Sequence, residues 1–514
     1  VWTAVWLGTL AALGYAVENF RGHRAWKEAR QSLDAAGAPY DHHALIPKPV
    51  PDDQNFGALP IVTNWFSKRP VNGSPPRTDD YFSEASDRLG KPKIKQNEPR
   101  LRTPTDLVAW SAAFLSLSNA PGSGSNGRHS DIPPTPDEKN TPEARVAAAR
   151  IILAAMEADR AKFETFRDGL RLPHARYPVD YSSENAFAVL LPHLAKLKEV
   201  CVWVQLRVAA ELGLGDSAAA LADTRLLLGL GDTLKSEPFL ISHLVRLATF
   251  NLAVQNVWEG LYYHKWQASE LAELQRDFAT YNFIADLQWA ANGERAGAIS
   301  TIDYCRQHHS FAILNIVADS DSESEPRPGN DLFGKLVPNG WFLMEMANYS
   351  RFMDRWLAGI DPAQRRVQPE IIRANAAAVE RQFAHGSGFG SAIRSLMRHD
   401  LAARALLPAY NNTVRVATAA QSSADLVVIA CALEQFRLGN GHLPDSIQAI
   451  PHDMLPQPPL DVVTGEPYKY KKNEGDSFLL YSVGWDVKDD AGKPTSGDLK
   501  KIEGDWTWGW LFKR

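Results

Sequence analysis

The chain opens on an uninterrupted apolar run. Val1 to Val17 reads VWTAVWLGTLAALGYAV and carries no charge. A spanning helix needs about 20 apolar residues, so the run is slightly short. The chain does not start with Met, and the run is expected to belong to a longer apolar stretch. It reads either as a retained membrane anchor or as a signal peptide with Gly14-Tyr15-Ala16 at the cleavage site. From Glu18 to Arg30 the pattern turns amphipathic and charged, extending the helix to about residue 36. Arg21, Arg24, Lys27 and Arg30 follow the run, and positive charge favours the cytoplasmic side. That comparison needs the opposite flank as well, so orientation stays open.

Periodicity then disappears. Residues 37–103 hold Pro47, Pro49, Pro51, Pro60, Pro70, Pro75 and Pro76, which remove backbone donors and predict extended, irregular chain. Phe56, Leu59, Ile61, Val62, Trp65 and Phe66 make the stretch too apolar for a free linker, so it is expected to wrap along a helical body. A short helix is predicted over 104–117, with Thr105 as its cap, followed by a Gly/Ser/Pro-rich loop over 118–141.

Helical periodicity dominates from 142 to about 312. Thr141-Pro142-Glu143 supplies a capping hydroxyl, proline in the first turn and an acid at the positive end of the dipole. Further helices are predicted over Asn185–Leu212, from Ser217 to about Leu234, and from Glu237-Pro238 onward. On the last, Ile241, Leu244, Val245 and Ala248 mark one apolar face and Leu247, Phe250, Val254, Val257 and Leu261 a second, so neighbours should cover both. The GDSAAALAD stretch looks like part of a tetratricopeptide-type hairpin, but no 34-residue period accompanies it. Residues 317–340 form an acidic loop. Helices follow at about 341–359, 362–384, 391–407 and 411–438.

The pattern changes again after Thr418. A helix ends at Gly439-Asn440-Gly441-His442-Leu443-Pro444, where glycine can take the left-handed conformation. Two short strands are then predicted, around Tyr468-Lys469-Tyr470 and Ser477 to Ser482, joined by Asn473-Glu474-Gly475-Asp476. The organisation expected is mainly α: anchor and juxtamembrane helix (1–36), Pro-rich wrap and linker (37–141), a helical body built as an irregular bundle or helical-hairpin stack (142–410), and a small α+β module (411–514).

Composition narrows the function classes. The chain has 514 residues, 45% hydrophobic and 22% charged, with a net charge of -5. That is ordinary globular composition without the basic excess of a nucleic-acid binder. Its three cysteines, Cys201, Cys305 and Cys431, form neither a disulfide framework nor a CxxC metal motif. Fifteen tryptophans include Trp65, Trp506, Trp508 and Trp510 in predicted loops, where they suit either contact surfaces or packing.

Candidate chemistry is sparse. Asp303, Tyr304, Cys305, His308 and His309 crowd one helix, with Cys305, His308 and His309 at spacings that can share a face. A second ligand group is not evident. His42-His43 follows Tyr40-Asp41 in a loop. The glycine-rich run His385 to Ser391 precedes a helix, but it lacks the preceding strand and the lysine of a phosphate loop. Glu294 and Arg295 read as a buried ion pair or a solvated face. No GxSxG, HExxH or nucleotide fingerprint occurs, and no catalytic residue or organic cofactor is assigned.

The ordered blocks Gly441 to Pro444, Leu460 to Tyr470, Leu480 to Asp486 and Asp489 to Gly492 resemble the globular domain of the major pseudopilins of bacterial type II secretion. The resemblance covers about residues 418–505. Leu443 stands where the family has an aromatic, and several hundred residues separate anchor from module, whereas a pseudopilin's anchor runs directly into its domain helix. The resemblance implies an extracytoplasmic, periplasmic compartment and calcium in the terminal loop, with Asp486, Asp489 and Asp490 as ligands beside carbonyls of Leu480 to Val483. An acidic, solvated turn is the alternative. Together these features lead to the expectation of a non-enzymatic, membrane-anchored scaffold that binds protein partners, with the lipid bilayer meeting residues 1–17. A hydrolase with its site in the helical body and a filament-forming pseudopilin relative are the competing expectations.

Overall fold

The computed structural model describes residues 2–66, 101–118, 141–310, 332–383, 398–494 and 504–509. The chain is mainly helical, with two small antiparallel sheets. Residues 119–140, the acidic loop as far as 331, His385 to Ser391 and Trp510 lie outside the described residues, and the loop expected to continue to 340 is helical at Leu332–Leu336.

Helix α1 (Trp2–Ala35) joins the apolar run to the amphipathic segment without a break. Residues 37–66 then lie along the body as expected, burying Phe56 and Val62. Asn55 fixes this wrap, because its amide donates to the Arg176 carbonyl while its oxygen accepts from Arg176 and Gly57 N–H. Helix α2 (Leu107–Ser118) follows. Its cap is Asp106, whose carboxylate accepts from Ala109 N–H, and not Thr105. The Thr105 hydroxyl instead donates to Glu259, so a distant partner outcompetes the local one.

The body is built from α3 (Pro142–Met156), α4 (Arg160–Gly169), α5 (His193–Leu214), α6 (Ser217–Asp232), α7 (Leu240–Tyr262), α8 (Ala268–Ala279) and α9 (Phe283–His308). The predicted start of α3 holds, with Thr141 Oγ1 accepting from Ala144 N–H and Pro142 in the first turn. Gly215 closes α5 at φ 80 and Asp216 caps α6. The predicted helix from Asn185 begins only at His193. Asn185 caps a single 3-10 turn, and Pro192 sits just before the helix. Helix α7 packs against α5, α6, α9 and the long helix over Leu401–Asn440, although Ile241 of its first apolar face is left exposed.

Helices α10 (Leu332–Leu336), α11 (Asn339–Leu357), α12 (Pro369–Phe383) and α13 (Leu401–Asn440) follow. The start predicted at 362 is replaced by a hairpin of β1 (Ile360–Asp361) and β2 (Arg366–Val367). The predicted break at 407–411 is absent, and α13 runs through Pro408 as one helix. Gly441, at φ 77, ends it where the sequence placed the stop. Strands β3 (Lys469–Lys472), β4 (Phe478–Ser482) and β5 (Trp506–Thr507) form the second sheet, and Trp506 is buried rather than exposed.

Burial is continuous across these parts. One apolar cluster runs from Leu33 through α5 to α9, α11 and α13 to Leu480 and Trp506. A smaller cluster joins α2 and α3 to the outer face of α5. By length and composition, one described helical segment could cross a membrane, Asn412–Asn440, and almost all of it is inside the fold. The described part of the N-terminal run falls short of that measure.

Candidate functional site

Helix α1 has two unlike halves. From Glu18 onward a stripe through Gly22, Trp26, Ala29 and Leu33 faces α11. The two backbones touch where they cross. A Cβ on Gly22 would fall 2.2 Å from the Gly340 carbonyl oxygen, and one on Gly340 would fall 2.1 Å from that of Glu18. Polar contacts lock the crossing: Gly340 N–H donates to Asn19 at 2.8 Å and the Trp341 indole N–H to Glu18 at 3.1 Å. The other half, Trp2 to Val17, is covered by almost nothing. Trp2 is 79% exposed and Leu7 68%. The Tyr15 hydroxyl donates to the Leu336 carbonyl, the last tie before the apolar run leaves the body.

A cleft of about 530 Å³ opens beside the docked half of α1. Trp26 and Arg30 come from α1, Tyr40, Asp41 and His43 from the wrap, Glu184 from the loop before α5, and Ser300, Asp303, Tyr304 and Gln307 from α9. Arg30 donates to the Tyr40 hydroxyl at 3.0 Å and lies over its ring, which meets Trp26 edge-on. Asp41 caps the turn at His42–Leu45 and takes the His43 N–H at 2.9 Å. Asp303 accepts from Arg306 and Gln307, both at 2.7 Å. Asp41, Glu184 and Asp303 face one guanidinium among the lining residues, so the surface suits a cationic group more than an anionic one.

This cleft unites two of the sequence candidates and divides a third. Tyr40-Asp41-His43 meets Asp303-Tyr304 across it. Ser300, Asp303, Tyr304 and Gln307 share one face of α9, at i, i+3, i+4 and i+7. Cys305 belongs to the opposite, buried face. His308 stacks on Tyr304 at 4.0 Å, and exposed His309 ends the helix at φ 49, so the Cys305, His308 and His309 set does not converge. His42 is buried against Phe239, and that burial lowers its pKa.

Glu294 and Arg295 do not pair with each other. Glu294 accepts from Tyr410 at 3.1 Å, and burial pushes its carboxyl up to about 7. Arg295 pairs with Asp354 at 2.8 Å. The sequence also leaves unannounced a buried pair in which His193 Nε2 lies 2.8 Å from Glu237, between the rings of Tyr177 and Phe66. Ser242 also donates to Glu237.

In the terminal loop, Asp489 accepts from the Tyr481 hydroxyl and Ala491 N–H, both at 3.0 Å, and Asp486 accepts from Lys488 N–H. Asp505 organises the turn by accepting from Asp490 and Gly492 N–H. Burial, and then the neighbouring Asp489 and Asp490, raise its carboxyl to about 6. Among the described residues no three His, Cys, Asp or Glu side chains stand together as metal ligands. The loop carboxylates mostly serve N–H and O–H donors of the turn itself. Asp461 ties the preceding blocks together, accepting from Val463 N–H, Ser482 Oγ and Val483 N–H.

Comparison of the chain with protein-family models, curated proteins and solved structures finds no match.

Proposed function

We propose that the chain is a membrane-anchored scaffold whose residues 2–17 enter the bilayer and whose helical body and C-terminal module bind protein partners outside the cytoplasm. One observation carries the reading: α1 docks closely from Glu18 onward and leaves the uncharged residues Trp2, Thr3 and Val5 to Val17 before it exposed. Exposed apolar surface on this scale has to be covered by lipid or by protein. Sixteen helical residues extend about 24 Å, most of the depth of a hydrocarbon core of about 30 Å. The order of blocks from Gly441 to Gly492 supports the extracytoplasmic side through its similarity to pseudopilins. The cleft beside Trp26 and Arg30 is the surface offered to a partner's basic side chains. A hydrolase gains no comparable support, since neither Glu294 nor His308 lines this cleft. A filament role is disfavoured by the body lying between anchor and module.

The test compares the full chain with a variant lacking residues 1–17, both produced in a bacterial host. The full chain should sediment with membranes, resist alkaline extraction and be cut by protease added to spheroplasts. The shortened chain should fold and stay in the supernatant. A full chain that is monodisperse without detergent and leaves membranes on alkaline washing would sink the proposal.

A further inference from the structure

We propose that the rim of the body at Leu336, Pro338 and Trp341 is a second lipid-contact surface, which holds the body against the bilayer that takes up residues 2–17. The inference rests on the anchoring reading and adds the posture of the body to it. An apolar groove of about 620 Å³ separates Leu10, Leu13 and Val17 of α1 from Leu336, Pro338 and Trp341. Leu336 is 64% exposed at the end of α10. Its carbonyl is tied to Tyr15, three residues inside the uncharged run. At about 1.5 Å per residue, Tyr15 lies only some 4–5 Å beyond the first charge, Glu18. An α1 immersed up to Glu18 therefore carries Leu336 to the headgroup level with it.

Two further features fit lipid rather than protein as the occupant. Tyr15 and Trp341 flank the groove, and such rings settle at the boundary of hydrocarbon and water. Along the following turns Arg21 and Arg24 pair with Glu18 and Glu28, and Lys27 and Arg30 remain as a cationic excess, in a chain of net charge -5. All four cations are on exposed positions. A locally cationic collar beside an apolar rim complements anionic headgroups over acyl chains.

Leu10→Cys, Leu336→Cys and Leu190→Cys, each made singly in the whole chain, test the idea. Native Cys201, Cys305 and Cys431 are buried, so an environment-sensitive fluorophore will report the introduced thiol. Position 190 is the aqueous reference, since Leu190 is 82% exposed. The labelled proteins are placed in phosphatidylcholine–phosphatidylglycerol vesicles, with or without a nitroxide at the shallow end of the acyl chain. The expected result is a blue shift and nitroxide quenching at 336 approaching that at 10, and several-fold above that at 190. Quenching at 10 but not at 336 overturns the rim contact and leaves the anchor standing. A blue shift at 336 without quenching assigns the groove to protein and overturns the proposal. No quenching at either position removes the anchor and the rim together.

Discussion

Among the described residues, the apolar segments of α13 and α1 are treated in opposite ways by the fold. The segment Asn412–Asn440 of α13 satisfies the usual requirement for crossing a membrane and is surrounded by α7, α8, α9 and β4. Trp2 to Val17 is shorter, meets that requirement less well, and stands almost bare. Apolarity is a demand for cover and does not specify the cover. In α13 the demand is met by helices that present matching faces on every side. In α1 it goes unmet up to Glu18, where the helix meets α11.

The sharpest way to break the comparison is to place the same charge in both helices. Ala430→Asp puts an unpaired carboxylate into a fully buried position. It should cost several kcal/mol and leave little folded protein, checked by circular dichroism and thermal melting. Leu7→Asp should leave the melting midpoint in detergent unchanged but move protein from the membrane pellet to the supernatant, since aspartate opposes insertion by about 3 kcal/mol. Equal loss of folding in the two variants would abolish the distinction.

A smaller effect is expected at the crossing of α1 and α11. Gly340→Val forces the backbones apart and should destabilise by on the order of 1–3 kcal/mol, speeding amide exchange over residues 18–35 while α13 stays protected. Unchanged exchange in α1 would mean the docked half is no better held than the bare one.

The N-terminus of α13 supplies a pH test. Glu345 on α11 accepts from Leu401 and Ala402 N–H, and burial raises its carboxyl from 4.5 to about 8. The folded state therefore retains a proton that the unfolded chain gives up at lower pH. This contribution is complete below pH 4.5 and is lost as the pH rises through about 8, on the order of a few kcal/mol. Glu345→Gln should flatten the fall in stability across that window in pH-dependent urea melts. An undiminished slope would assign it to other raised carboxyls, among them Glu211, Glu294, Asp425 and Asp505.

The smallest effect concerns the terminal loop. With its carboxylates engaged by the turn's own donors, millimolar calcium should leave the melting midpoint where it is. A rise abolished by Asp489→Asn would instead establish the loop as a calcium site.

Helix boundaries were legible wherever a local rule decided them. Thr141 with Pro142, Gly215 with Asp216, and Gly441 all act through neighbours within a few residues. Thr105 misled because a distant partner overrides local preference: Glu259 takes the threonine hydroxyl. The cleft was half legible. Ser300, Asp303, Tyr304 and Gln307 form a polar stripe that helical spacing reveals, whereas Trp26, Tyr40 and Glu184 arrive from separate segments with no shared period. Reading Cys305 with His308 and His309 followed closeness in sequence and missed that the thiol faces the core.

The strap leading into α2 has a consequence for synthesis. Arg102 is buried on α7, where its guanidinium donates to Asn251 and Gln255, and its backbone N–H donates to the Gly509 carbonyl. A segment at residue 102 is thus sealed by one made about four hundred residues later. Until residue 509 leaves the ribosome, that flank of α7 stays unlatched. Closure of this flank should therefore wait for residue 509, and nascent chains stalled short of that point should be the ones that chaperones hold.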